Sequence, residues 1–176
     1  MTVRTAGITI RPVDPDEYAE AGRVTEQAYA ASYDTLSPAY LQSLRDVASR
    51  VEAGEVWVAV DEHGTIVGTV WVPRAGERLS ELAADGELDF RQLAVAPAAR
   101  GRGIGEALTH AVIDLARQRG AHRVVMNSGP EMLGAHALYA KLGFRRMTER
   151  EHPIEVEPGR WIDLRAFALD LPSTPL

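Results

Sequence analysis

From Arg100 to Glu106 the chain reads Arg-Gly-Arg-Gly-Ile-Gly-Glu, and this stretch has the residue types that hold an anion. Glycines alternate with other residues at Gly101, Gly103 and Gly105, with Arg100 and Arg102 between and before them. An apolar strand, Leu88 to Val95, and a proline-marked turn, Ala96-Pro97-Ala98, come before it. Ile104, Leu108, Ala111, Val112 and Leu115 follow at spacings of three and four, which predicts an amphipathic helix starting inside the glycine run. The first amides of a helix have no intrahelical acceptor, and the helix dipole adds about half a positive charge there. Glycine permits positive φ and lets a ligand approach with no Cβ in the way. Strand, glycine turn and helix together predict a phosphate site, with two guanidinium groups beside it.

The best-known phosphate loops do not fit. A P-loop needs Lys and then Ser or Thr after its last glycine, and here Glu106 and Ala107 follow Gly105. A dinucleotide fingerprint starting at Gly101 and Gly103 puts its third glycine on Glu106, and His122 to Asn127 lacks the acidic residue expected about twenty positions on. What is present is Arg-x-x-Gly-x-Gly at Arg100, Gly103 and Gly105, preceded by Leu-Ala-Val-x-Pro at Leu93 to Pro97. Downstream lies Ala137-Leu138-Tyr139-Ala140-Lys141-Leu142-Gly143-Phe144. Together these resemble the acyl-CoA-binding motif and the ALYxKLGF segment of the GNAT superfamily of N-acetyltransferases, a likeness extending more loosely from about Ile8 to Leu171. The resemblance implies acetyl-CoA as cofactor, held by Leu93, Ala94, Val95, Arg100, Gly101, Arg102, Gly103, Ile104, Gly105 and Glu106. The amides of Leu93 to Val95 would pair with the pantetheine arm as an added strand does. It also implies an acetyl group passed to a primary amine by direct attack in a ternary complex. A non-catalytic acyl-CoA-binding sensor or partner module is the alternative.

That chemistry needs a neutral amine. Presenting a lysine-like amine neutral at pH 7 costs roughly 4–5 kcal/mol, an α-amino group only about 1 kcal/mol. In several members of the family a Glu six residues before the Val of Leu-Ala-Val takes the proton. Here that position is Asp89, one methylene shorter, which points to a water relay; Glu87 is a second candidate. With period two both carboxylates share a face with Arg91, Leu93 and Val95. Tyr139 stands where the family's Tyr gives a proton to the CoA sulfur. Many members have Asn seven residues before that Tyr; here it is Met132, which takes no role.

The elements that must position these residues are legible in outline. Ile8 and Ile10 make a short strand stopped at Pro12, and Asp14 or Asp16 caps a helix to about Tyr33. Ser37-Pro38 opens a second helix through Leu41, Leu44 and Val47. Val56 to Val60 and Thr65 to Val72 form a hairpin about Asp61 to Gly64, and Arg74 to Gly86 is a loop. The helix after the glycine turn ends near Gly120, Val124 to Asn127 is a strand, and Met132, Ala135, Leu138 and Leu142 stripe a helix stopped by Gly143. Phe144 to Arg150 and Trp161 to Leu171 read as a closing antiparallel pair. The expected class is α/β (α+β): a mixed, largely antiparallel sheet flanked by helices, in the GNAT order, as a single domain over residues 1–176.

Composition narrows the partners. A net charge of −6 with no basic run argues against a nucleic-acid surface, so anion binding must come from local potential at the arginines. No run of eighteen apolar residues exists, so no membrane span is expected. Zero cysteines remove an acyl-enzyme carried by thioester and, with no apolar leader after Met1, give a cytoplasmic expectation. The five histidines show no metal spacing, and no metal site is expected. Trp57, Trp71, Tyr29 and Tyr33 are expected in the core rather than on a ligand. The acceptor is a small-molecule or peptide amine of open identity, and strands near the C-terminus could pair two copies into a homodimer.

Overall fold

The computed structural model describes residues 1–172. A hairpin unmarked by the sequence pattern comes first: β1 (Val3–Thr5) turns through Ala6 and Gly7, both at positive φ, into β2 (Ile8–Pro12). The expected helix from Asp14 to Tyr33 is shorter. Pro15–Glu17 forms one 3-10 turn, and α1 spans Tyr18–Ala30. Glu17 accepts two hydrogen bonds from the Arg11 guanidinium, 2.8 and 2.7 Å, which pins the turn to β2. α2 (Pro38–Arg45) starts as Ser37-Pro38 predicts, with Ser37 Oγ accepting from the Tyr40 N–H at 3.2 Å. The stripe Leu41, Leu44, Val47 does not lie on one helix, however. Asp46 leaves the helical region and its carboxylate accepts from the Ser49 N–H, so it caps a separate α3 (Val47–Ala53).

β3 (Glu55–Val60) and β4 (Ile66–Val72) form the expected hairpin. The predicted strand Leu88 to Val95 is two strands, β5 (Glu87–Asp89) and β6 (Arg91–Val95), which break at Phe90 and pair in different directions. β6 pairs antiparallel with β4 and completes the sheet β1-β2-β3-β4-β6. β5 pairs parallel with β7 (Arg123–Ser128), in a second sheet. Between β6 and β7 in the chain lies α4 (Ile104–Gln118), followed by Gly120 at φ 72°. α5 (Leu133–Lys141) follows β7 and ends at Gly143, at φ 90°.

The closing pair is smaller than expected. Only β8 (Arg145–Arg146) meets the last strand, because Thr148–Arg150 winds into a 3-10 turn. Trp161 belongs instead to a separate hairpin of β9 (Pro153–Glu157) and β10 (Arg160–Asp163). β11 (Arg165–Asp170) runs antiparallel to β7 on one side and β8 on the other, giving the order β5-β7-β11-β8. The fold is therefore mixed α/β, largely antiparallel, with helices on both faces. No helix among the described residues is long and apolar enough to cross a membrane.

Alternation along β3 shows how the layers divide. Val56, Val58 and Val60 pack with Ala21 and Val24 of α1 and Val47 of α3, while Trp57 and Ala59 pack with Leu108, Ala111 and Val112 of α4. Gly68 on β4 lets α4 lie close, since a Cβ there would come within 3.0 Å of Leu108 and Ile104. Gly22 does the same between α1 and α2. Gly→Ala inside a helix ordinarily gains about 1 kcal/mol, but here the new Cβ would overlap the carbonyl oxygen of Arg45, a backbone atom that cannot rotate away. Gly22→Ala is expected to destabilise by more than about 1 kcal/mol, read as a lowered urea midpoint. An unchanged or raised midpoint would contradict this packing.

Candidate active site

The break at Phe90 opens the site. The Phe90 N–H still donates to Val125 O at 3.3 Å, and beyond it β6 follows β4 while β7 diverges, so the two sheets splay. One edge of β6 is thus satisfied and the other is not. The Ala96 N–H donates to Val67 O at 2.9 Å, and Gly68 faces Val95 while Thr69 faces Ala94. Antiparallel pairing alternates the direction of successive backbone groups. Ala94 and Ala96 therefore point at β4, and Leu93 and Val95 point their N–H and C=O into the cleft. Gln92 sits at φ 51°, in the register shift between the two halves of the β4–β6 ladder.

At the end of β6, Pro97–Ala99 makes a 3-10 turn and the chain enters the glycine run. Gly101 (φ 79°) and Gly103 (φ 75°) are left-handed, and a Cβ on either would meet nothing within 4 Å. No internal neighbour forbids a side chain at these two positions; the backbone conformation does, and the space beside them is open for a ligand. Gly103 is the N-cap of α4 and offers no side chain to it. The first intrahelical bond runs from the Ala107 N–H to Gly103 O, which leaves the amides of Ile104, Gly105 and Glu106 unpaired within the helix. Gly105 differs from its neighbours in the run. Its bare Cα faces Leu138 of α5 and Val95, so it fixes packing rather than a turn.

The charged residues divide between ligand space and scaffold. Arg102 is exposed at the turn. Arg100 turns back to α1, its Nη2 donating to Ala28 O and Ser32 Oγ, both at 3.1 Å, so it docks the end of α1 beside the cleft. The Glu106 carboxylate accepts from Lys141 Nζ at 2.6 Å, tying α4 to α5, and only its backbone amide is offered at the helix mouth. Ile104 is buried in the core beneath the turn.

Tyr139 comes from α5 and is 2% exposed. Its ring packs between Phe90 (6.2 Å between centroids), Phe144 (5.6 Å) and Phe167 (5.9 Å), placing it directly beside the break that opens the cleft. Burial, with Tyr33 nearby, pushes its hydroxyl well above the usual phenol range, so it keeps its proton at neutral pH.

The two carboxylates expected to share a face with Arg91, Leu93 and Val95 lie on a separate strand. The break at Phe90 and the irregularity at Gln92 interrupt period two, and Glu87 and Asp89 belong to β5. Asp89 is 1% exposed, and its oxygens accept from the Leu79 N–H and the Ser80 hydroxyl, each at 2.9 Å. It clamps the 74–86 loop. Glu87 accepts from Arg150, Arg123 and the Ala84 N–H. Burial opposes its ionisation, but the hydrogen bonds from Arg150 and Ala84 and the charge of Arg123 outweigh that and hold its pKa below the ordinary value. Each Asp89 oxygen thus already accepts one protein hydrogen bond, and both carboxylates are tied into the scaffold around β5.

Other groups gather at the cleft without a motif to mark them. Tyr29 and Tyr33 stack at 5.9 Å, and Tyr40 of α2 meets Tyr29 edge-on at 6.3 Å. Tyr33 lies just past the end of α1, where its N–H donates to Tyr29 O at 3.0 Å; the sequence marks neither this nor the placement of Tyr40 and of Arg50 on α3. Trp57 is buried as expected, whereas Tyr29 and Tyr33 are half-buried. His136 Nε2 lies 3.1 Å from Ser128 Oγ, with its pKa lowered by burial and by Arg165. No cluster of His, Asp and Glu suited to a metal occurs among the described residues.

Comparison with known proteins gives this geometry a family. The sequence profile described as "Acetyltransferase (GNAT) family" matches residues 19–144, more than half of the chain. A mycothiol acetyltransferase of Pseudarthrobacter chlorophenolicus is 31% identical over 150 residues, covering 80% of this chain and 43% of that protein. Glucosamine 6-phosphate N-acetyltransferase 1 of Oryza sativa subsp. japonica is 31% identical over 121 residues, covering 69% and 64%. The chain thus spans less than half the length of the mycothiol acetyltransferase it matches. Among solved structures, yncA of Salmonella typhimurium, determined with its cofactor acetyl-CoA, superposes with a TM-score of 0.67 at 24% identity, over 97% of this chain and 98% of that one.

The position of Asp89 yields a test. Asp89→Asn keeps an oxygen for the Leu79 N–H and can donate its amide to the Ser80 hydroxyl, so two charge-assisted hydrogen bonds become neutral ones at an expected cost of about 1–3 kcal/mol of stability. Amide hydrogen exchange should speed up at Leu79 and its loop neighbours. A variant with native stability and native loop protection, but lost turnover, would restore Asp89 as a proton acceptor.

Proposed function

The chain belongs to the GNAT family of acetyltransferases, and from that premise we propose that it transfers an acetyl group from acetyl-CoA to a primary amine by direct attack. The observation that supports this most is the juxtaposition of an uncapped helix N-terminus with the unpaired edge of β6. A pyrophosphate fits the first and an amide-bearing arm fits the second. The fit is testable on the residues themselves: Gly101 and Gly103 leave the mouth of α4 clear of any Cβ, and the Ile104, Gly105 and Glu106 amides have no intrahelical acceptor.

Bound acetyl-CoA would supply an activated acetyl carbon whose bond to sulfur breaks as a bond to the amine nitrogen forms. The amides at the mouth of α4, with Arg102, would hold its pyrophosphate. The Leu93 and Val95 backbone groups would orient the pantetheine arm, with an N–H group to offer a thioester carbonyl oxygen. Tyr139 keeps its proton on the phenolic oxygen and would be the donor to a departing sulfur. The ring is fixed by Phe90, Phe144 and Phe167, so little ordering remains to be done at that moment.

The amine loses its proton by another route. Each Asp89 oxygen already accepts a protein hydrogen bond, which favours water in the cleft as the proton acceptor and suits an amine of modest pKa better than a lysine side chain. The relatives are named for different molecules, mycothiol in one and glucosamine 6-phosphate in another, so family membership leaves the acceptor open.

Acetyl-CoA at a hundred times its Kd is expected to stabilise the protein by about 2.7 kcal/mol, seen as a raised melting temperature. Gly103→Ala should cost about 1–2 kcal/mol for a non-glycine residue at left-handed φ and should lose most of the cofactor's stabilisation. Tyr139→Phe should keep that stabilisation and lower kcat by about 10²-fold or more. Failure of acetyl-CoA to stabilise the protein would overturn the proposal; full stabilisation with no turnover on any amine would favour a sensor.

A further inference from the structure

Where α1, α2 and α3 meet the open side of β6, three tyrosines and two arginines converge. Tyr29 joins Tyr33 and Tyr40 through the ring contacts described above, and the Tyr33 hydroxyl lies against Gly129 at the far lip of the cleft, just beyond β7. Arg91 enters from β6 and is exposed. Arg50 enters from α3 and is only 5% exposed. Its Nη2 donates to Leu44 O at 2.6 Å, but Nε and Nη1 have no partner among the described residues. Buried guanidinium donors are ordinarily paired, and a buried charge left without a counter-ion costs several kcal/mol.

The surrounding charges do not compensate it. Of the acidic side chains that face the cluster, Asp46 is exposed and occupied in capping α3, and Glu131 is exposed at the rim beyond Tyr33. Tyrosine rings alone would suit a cationic ligand. Two arginines among them reverse that preference, since a second positive charge on the ligand would meet both. The same field is felt by the tyrosines: burial raises the Tyr40 hydroxyl, and Arg91 and Arg50 oppose that rise.

We infer that this cluster recognises an anionic group, carboxylate or phosphate, on the amine acceptor, with Arg91 touching it and Arg50 reinforcing the positive potential from behind Tyr29 and Tyr40. The inference rests on the amine-acetylation reading and deepens it by naming the acceptor class. Arg91 is a binding residue. Arg50, sealed from solvent, is a positioning residue that acts through the tyrosines and the local field. Such an acceptor also suits a cluster whose uncompensated charge is positive.

Two measurements test this separately from the activity. In the first, kcat/KM with acetyl-CoA is compared within matched amines: β-alanine against β-alaninamide, and phosphoethanolamine against ethanolamine, with putrescine as the cationic member. The anionic partner should be favoured by about ten-fold or more, mainly through KM. Arg91→Gln should erase that preference. Arg50→Met should weaken it and Arg50→Lys should restore part of it. In the second, N-acetyl-β-alanine and its amide are titrated calorimetrically into the CoA complex, with no turnover involved. Tighter binding of the carboxylate, lost in Arg91→Gln, supports the inference even if no amine is acetylated, an outcome that would sink the activity alone. Equal or better performance by ethanolamine or putrescine, or equal binding of acid and amide, overturns it. So does selectivity that survives both Arg91→Gln and Arg50→Lys, variants that also decide the matter should Arg50→Met fail to fold. A larger preference in the phosphate pair than in the carboxylate pair assigns the anion as phosphate.

Discussion

A strand can hydrogen-bond along two edges, and the segment from Glu87 to Val95 uses one edge in its first half and the other in its second. That division is the constraint from which the site follows. β5 is held by β7 and β6 by β4, with Phe90 at the change of partner. The two sheets must then part, and the Leu93 and Val95 backbone groups are left facing a cleft. Unpaired backbone groups at a buried edge are costly unless water or a ligand meets them. The fold therefore carries a built-in demand for an extended, hydrogen-bonding ligand at one place, and the helix that follows β6 aims its own unpaired amides at the same mouth.

The residues around this opening serve mainly to hold it. Asp89 and Glu87 anchor the loop before β5 and the turn after β8, so the N-terminal half of the split strand is rigid. Arg100 ties α1 to the turn beyond β6, and Glu106 ties α4 to α5 through Lys141. Tyr139 stands against Phe90 itself, so the phenol proposed as proton donor is registered to the residue at which the sheets divide. Charged residues of a type suited to chemistry thus also act as struts, and the proposed mechanism relies on backbone amides, one phenol and a field from arginines.

Much of this was legible in the sequence. The glycine spacing with the apolar stripe after it placed the turn and α4 closely, and Ser37-Pro38 and Gly143 marked helix ends where the structure has them. The strand that carries Glu87 and Asp89 is less legible, for an identifiable reason. Period two was carried through Phe90 as if the strand were uninterrupted, and a change of pairing partner leaves no trace in an apolar run. Asp46 was readable as a cap but was absorbed into the stripe Leu41, Leu44, Val47, and the β9–β10 hairpin was lost in a segment without alternation. The proposed acceptor side is hidden more deeply. Tyr29, Tyr40, Arg50 and Arg91 come from four elements, and only tertiary packing brings them together. Arg50 in particular looks like an ordinary helix residue until its burial is known.

Residue-resolved amide exchange, with and without acetyl-CoA, tests the central claim most directly. The alternation of β6 predicts that cofactor slows exchange at Leu93 and Val95 and at Ile104, Gly105 and Glu106. Ala94 and Ala96, already bonded to β4, should change little. Protection confined to Ala94 and Ala96, or none along β6 while the cofactor is bound, would contradict the account.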